Sequence, residues 1–142
     1  MFTPEVVAEI ENVARQNDVD ADALLAAVYV ESRGKPWTLV DGTRKPVILF
    51  EPHVFWRNLT SDEERAQATE QGLGAPKWRD LPYAKTQAEQ YDRLERAARI
   101  NARAAHAACS WGVGQVLGEN ATKLGYAGPE ALAVKAMGGL RG

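Results

Sequence analysis

The chain has 142 residues, 45% of them hydrophobic, 25% charged and 8% aromatic, which is the make-up of an ordinary globular domain. Its 17 Lys and Arg against 19 Asp and Glu leave a net charge of -2, arguing against a nucleic-acid binder that works by neutralising many phosphates. The single cysteine, Cys109, cannot close an intrachain disulfide, and no apolar run approaches membrane-spanning length.

A chain of this size buries roughly 70% of its unfolded surface and needs no staple, so residues 1–142 are read as one domain. The start, Met1-Phe2-Thr3-Pro4-Glu5, shows no basic region followed by an apolar stretch. A soluble protein made in the cytoplasm, with no stable membrane association, is expected.

Thr3 is a candidate cap, and Pro4 suits the first position of a helix. Val6, Val7, Ile10 and Val13 recur at helical spacing, predicting a helix that ends near Gln16. Asp20 is a candidate cap for a second helix carrying Leu24, Leu25 and Val28 and stopping at Gly34. Two β-prone runs follow, residues 37–40 and 47–50, on either side of the turn signal Asp41-Gly42. They predict a short hairpin with a loop longer than two residues and Pro46 at the start of its second strand.

A short helix is expected from His53 to Leu59, and Ser61-x-x-Glu64 is a capping box for another. Residues 71–82, rich in Gly and Pro, read as loop. Thr86-x-x-Glu89 then opens one long Ala- and Arg-rich helix running to about Ala108. The stretch from Ser110 to Gly118 is punctuated by glycine, and a last helix runs from Pro129 to Gly138-Gly139. The expected fold is mostly α (α+β), with one small hairpin.

Glu31 is the informative residue. At about 100° per residue, Leu24 and Glu31 lie about 20° apart around the helix, so Glu31 falls within the apolar arc. A carboxylate there must be paired, protonated or put to use. Burial and the negative end of the helix both push its pKa upward, as a general acid working near neutral pH requires. The residues alone leave open a solvent-facing Glu31, or one paired with Arg33 or Arg44. Asp41 and Glu51 lie at the turn and exit of the following hairpin, and a second carboxylate across a cleft would suit glycoside hydrolysis.

Three ordered motifs carry a family resemblance: Val30-Glu31-Ser32-Arg33-Gly34, then Ile48-Leu49-Phe50-Glu51-Pro52-His53-Val54-Phe55, then Ser110-Trp111-Gly112-Val113-Gly114-Gln115-Val116-Leu117-Gly118. Together they resemble the N-acetylmuramidase domain of phage and prophage endolysins, and Tyr91-Asp92-Arg93-Leu94-Glu95-Arg96-Ala97 resembles that family's long helix. The resemblance implies a lysozyme-like fold, helices around a cleft, that cleaves the β-1,4 bond between N-acetylmuramic acid and N-acetylglucosamine. It puts the catalytic glutamate on Glu31. Glu51 becomes a candidate second carboxylate and Asp41 a candidate water-orienting one. Ser32, His53, Ser110, Trp111 and Gln115 become candidate contacts to the glycan.

The resemblance runs from about residue 4 to about residue 133. Family members continue through a further helical segment to a Tyr-Asn-Gly motif, which the run from Val134 to Gly142 does not resemble. The domain is therefore expected to be C-terminally short, and apolar surface so exposed would favour self-association. A non-catalytic wall-binding relative and a lytic transglycosylase are the alternatives. The expected partner is the peptidoglycan glycan strand, met after release from the cytoplasm through a membrane lesion.

Other features read as ordinary packing. Gly112-x-Gly114-x-x-x-Gly118 has one residue too many before its last glycine for a dinucleotide site and is expected to follow an Ala-rich helix where such a site needs a strand. His106 and Cys109, three apart at the end of the predicted long helix, are too few to hold a metal, so neither metal nor cofactor is expected. Trp37, Trp56 and Trp78 read as core, with a cleft role reserved for Trp111. The run Asp62-Glu63-Glu64-Arg65 reads as a solvated helix face.

Overall fold

The structure is a computed structural model that describes residues 2–32, 37–112 and 115–138, with the side chains of Glu31 and Ser32 outside that description. Helix α1 spans Pro4–Gln16, and its cap is as expected, the Val6 N–H donating to Thr3 Oγ1 at 3.4 Å. Helix α2 spans Ala21–Ser32, capped by Asp20, whose Oδ1 accepts from the Ala23 N–H at 2.8 Å. The stop expected at Gly34 lies outside the described residues. Val6, Ile10 and Val28 are buried between the two helices, with Phe2, Leu24 and Leu25 packed against them. The predicted apolar arc of α2 does face α1, but Tyr29 and Val30 turn outward.

The hairpin differs from its expected form. Strand β1 (Trp37–Val40) pairs with β2 (Thr43–Pro46), so the turn is only the two residues Asp41 and Gly42. Both have positive φ, +50° and +76°, as the tight type I′ turn between right-twisted strands requires. Pro46 closes the second strand instead of opening it, opposite Trp37. The run 47–50 belongs elsewhere. Strand β3 (Ile48–Phe50) joins β4 (Cys109–Trp111), and β4 pairs with β5 (Val116–Leu117), making a three-stranded antiparallel sheet.

Helices α3 (Pro52–Asn58) and α4 (Asp62–Glu70) follow, Ser61 capping α4 through the Glu64 N–H at 3.1 Å. The Glu64 carboxylate reaches back to the Thr60 N–H at 2.8 Å, one residue before the cap. The expected long helix is broken. It divides into α5 (Gln87–Ile100) and α6 (Ala102–Ala107) at Asn101, which leaves the helical region at φ -156°, ψ 105°. The Asn101 N–H closes α5 on the Ala97 carbonyl at 3.0 Å, and its Oδ1 caps α6 by accepting from the Ala104 N–H at 2.9 Å. Its Nδ2 donates to Glu64 Oε1 at 3.1 Å, tying the break to α4. An Ala-rich run shows no interruption in its apolar periodicity, so only the capping residue marked the break.

Two 3₁₀ turns (Gly118–Asn120 and Thr122–Leu124) lead to α7 (Pro129–Met137). The main core gathers Phe50, Val54, Phe55, Leu59 and Leu73 with Tyr91 and Leu94 of α5, Leu132 of α7 and the alanines of α6. Small residues on α6 let its backbone approach its neighbours closely. At Gly118 the approach is tightest, since a Cβ there would overlap the His106 carbonyl oxygen. Tyr91 ties the hairpin to α5, donating to the Pro46 carbonyl at 2.6 Å while Lys45 lies over its ring. Among the described residues no helix is long and apolar enough to cross a membrane. The architecture is mostly α, as the sequence predicts, with a three-stranded antiparallel sheet beside the expected hairpin.

Candidate active site

The second and third motifs meet where strand β3 pairs with β4, and α5 lies along the other edge of β3. The edge of β3 away from β4 is paired not with another strand but with side chains of α5. Gln87 Oε1 accepts from the Ile48 N–H at 2.9 Å, and its Nε2 donates to the Ile48 carbonyl at 2.9 Å. One turn on, buried Gln90 accepts from the Phe50 N–H at 2.8 Å and donates to the Ala84 carbonyl at 3.0 Å. Two glutamines three apart on a helix thus imitate a neighbouring strand. Glu51 follows directly, its own N–H bound to the Ala108 carbonyl at 2.9 Å, so its backbone is held from two sides.

The Glu51 side chain does not cap α3, which it precedes. Instead its Oε1 accepts from the Tyr83 hydroxyl at 3.1 Å, and Tyr83 Oη accepts from Trp78 Nε1 at 3.1 Å. Burial holds the Tyr83 phenol above its ordinary pKa, and the nearby Glu51 charge pushes the same way. The phenol therefore remains a donor at neutral pH. Burial, again helped by Glu51, also pushes the Cys109 thiol up, leaving it a poor nucleophile.

Neither Trp78 nor Tyr83 stood out in the sequence. Trp78, expected in the core, is 57% exposed. The available signal was an aromatic residue set in a loop of charged and turn-forming residues. Residues 77–80 close a turn in which the Asp80 N–H donates to the Lys77 carbonyl and Asp80 Oδ2 accepts from the Lys77 N–H, both at 3.2 Å.

Strand alternation separates the third motif. Ser110 stands opposite Leu49 and Leu117 on one face, while Trp111 shares the other with Ile48, Phe50 and Cys109. Trp111 is 4% exposed, stacks on His106 at 6.1 Å between ring centroids, and has no hydrogen-bond partner for its Nε1 among the described residues. Gln115 takes a positive φ of 47° and donates through Nε2 to the carbonyls of Val47 and Gly112, at 3.0 and 2.9 Å. That amide nitrogen clamps the β4–β5 turn onto the start of β3. Val113 and Gly114, within the same motif, lie outside the described residues.

Glu31 is the penultimate residue of α2, and its side chain, like that of Ser32, lies outside the described residues. Asp41 is exposed at the hairpin tip, and no hydrogen bond or ion pair joins it to Glu51. His53 is half-buried in the first turn of α3. Among the described residues no group of three or more His, Cys, Asp or Glu is placed to hold a metal ion.

A family model described as Muramidase, N-acetylmuramidase, matches residues 20–141. The crystal structure of Burkholderia AP3 phage endolysin is similar at 31% sequence identity and a TM-score of 0.74, over 92% of this chain and 48% of that one. The chain therefore spans about half the length of that endolysin. No curated protein sequence matches it.

Proposed function

The chain belongs to the N-acetylmuramidase family, and from that premise we propose that it hydrolyses peptidoglycan, cutting the β-1,4 bond between N-acetylmuramic acid and N-acetylglucosamine with Glu31 as general acid. The observation that carries this reading is the family match itself, whose span of 20–141 includes Glu31, Glu51 and the Ser110 to Gly118 motif.

Glu31, protonated, donates to the glycosidic oxygen as its bond to the anomeric carbon breaks. A water adds to that carbon, and the proton it gives up restores the acid or passes to a second carboxylate. Glu51 is the better supported second group, because the chain of Tyr83 and Trp78 fixes its carboxylate. Asp41 is the water-orienting alternative. Ser32 and His53 are proposed to contact the glycan, whereas Ser110, buried like Trp111, and the clamped Gln115 shape the wall behind it. The partner is the glycan strand of the cell wall, reached after release from the cytoplasm.

Turbidity loss of outer-membrane-permeabilised cells tests the assignment. Glu31→Gln should lower the rate by about 10²–10⁴-fold with unchanged circular dichroism. Equal clearing by both proteins removes Glu31 from the mechanism, and binding to walls without clearing by the wild type makes the protein a wall binder. Anhydro-muramic ends in the released fragments, detected by mass spectrometry, would replace hydrolysis with lytic transglycosylation.

A further inference from the structure

We propose that residues 77–83 form a sugar-binding wall beside Glu51, in which the exposed indole of Trp78 is the stacking platform for one pyranose ring of the glycan. The proposal rests on the muramidase reading for its ligand and on separate observations for its geometry. Trp78 is the most exposed tryptophan among the described residues. A single exposed apolar side chain is ordinary on a protein surface, but one held from several directions is not.

Its Nε1 is tethered to Tyr83, and Tyr83 to Glu51, so the ring sits two hydrogen bonds from the carboxylate. The Arg79 guanidinium carbon lies 4.1 Å from the ring centroid and covers one face. The residue is 57% exposed, and with Arg79 over one face of the ring the other face is the one we assign to the ligand. Arg79 holds φ +71°, the left-handed region that the third position of a type II turn demands and that a side chain of this kind rarely adopts. Such local strain is kept where surrounding contacts over-determine it, and here it presents Trp78 and Arg79 together. The loop is also fixed from behind, Arg93 donating to the Pro82 carbonyl at 2.8 Å and Gln90 to that of Ala84 at 3.0 Å.

The chemistry of that surface suits a hexosamine. One face of a β-linked pyranose is a sheet of C–H groups carrying slight positive charge, and it meets the negative face of an indole. The hydroxyls and the acetamido group lie around the ring edge, where Arg79 and the Tyr83–Glu51 pair offer hydrogen-bonding atoms. A preformed aromatic face binds without the entropy cost of ordering a loose side chain. Tyr83 is thus a positioning residue for both Trp78 and Glu51.

The test uses the N-acetylglucosamine tetramer as probe, with calorimetric binding to Glu31→Gln protein and steady-state turnover of purified peptidoglycan by protein with Glu31 intact. Trp78→Ala should weaken tetramer binding about tenfold. It should raise KM by a similar factor with a much smaller change in kcat. Trp78→Phe, which keeps an aromatic face, should recover most of the affinity, as a merely structural role at an exposed site would not require. Tyr83→Phe should give an intermediate loss by freeing the indole. Unchanged affinity and KM in Trp78→Ala, with normal turnover, overturn the platform and leave the muramidase reading intact. Tenfold-weakened binding alongside a wild type that never cleaves peptidoglycan keeps the platform and overturns the muramidase reading. Absence of both binding and turnover in the wild type overturns both.

Discussion

Arg57 and Glu119 meet as a two-pronged ion pair, the guanidinium Nε donating to Oε2 at 2.9 Å and Nη2 to Oε1, with Asn58 Nδ2 adding a third donor at 2.7 Å. The pair joins the last turn of α3 to the 3₁₀ turn after β5, two segments 62 residues apart in the chain. The hydrogen bonds from Arg57 hold the Glu119 carboxyl below its ordinary pKa of 4.5.

A carboxyl depressed in the folded state favours folding while it is ionised in both states, and that contribution fades as pH falls below its unfolded value and through its folded one. Both side chains remain partly in water, so the pair is worth about 1 kcal/mol or less. Glu119→Gln should therefore melt slightly below the wild type at pH 7, and the gap should close as the pH falls below about 4.5. Melting curves between pH 7 and 3 measure it. A gap that persists at pH 3 would show that the carboxylate charge is not its source.

Gln90 is buried and serves both the Phe50 N–H and the Ala84 carbonyl. Gln90→Leu keeps the bulk and strands both groups, at a cost of about 1–3 kcal/mol. Urea unfolding should show that loss. Gln87→Leu, at a half-buried position where water can substitute, should lose less. Equal losses would mean that burial does not set the difference.

Asn101 closes one helix and opens the next. Asn101→Ala removes the cap of α6 and the link to Glu64, an expected loss of about 1 kcal/mol, or a melting point lower by about 2–4 °C. Asn101→Asp, which keeps the capping oxygen, should retain more of the stability. If alanine proves neutral, the break is held by packing rather than by its cap.

Gly118 does not lie in the left-handed region, so its requirement is steric. A Cβ would collide with the His106 carbonyl oxygen and come within 2.9 Å of the His106 carbonyl carbon and 3.1 Å of the Ala107 Cα. Backbone cannot swing aside as a flexible side chain can, and Gly118→Ala should cost about 3 kcal/mol, at the upper end for overpacking. Gly42→Ala, where nothing lies within 4 Å, should lose only the conformational strain of its positive φ. Thermal melts of the two variants compare the mechanisms directly.

Helix starts were legible because capping is local chemistry. Thr3, Asp20, Ser61 and Thr86 each accept a hydrogen bond from a backbone N–H three residues on. Strand partners were not. Ile48 to Phe50 finds its mate at residues 109–111, and no local pattern encodes a pairing across 60 residues of chain. The Asp41-Gly42 dipeptide did carry its own answer, a two-residue turn, which favours Thr43 rather than Val47 as the return strand. In the candidate site, Glu51 stood out by motif, but its companions Tyr83, Trp78 and Gln90 did not. Hydrophobic patterning assigns aromatics to the core and has no rule for an indole held outward by a phenol.

The glutamines of α5 also have a bearing on solubility. A strand with open N–H and C=O groups along one side is a template on which another chain can add its own strand. The Ile48 N–H and C=O and the Phe50 N–H are occupied by amides that belong to a helix and cannot propagate a sheet. The same pair of side chains that holds Glu51 in register therefore blunts the edge of β3 against strand-by-strand aggregation.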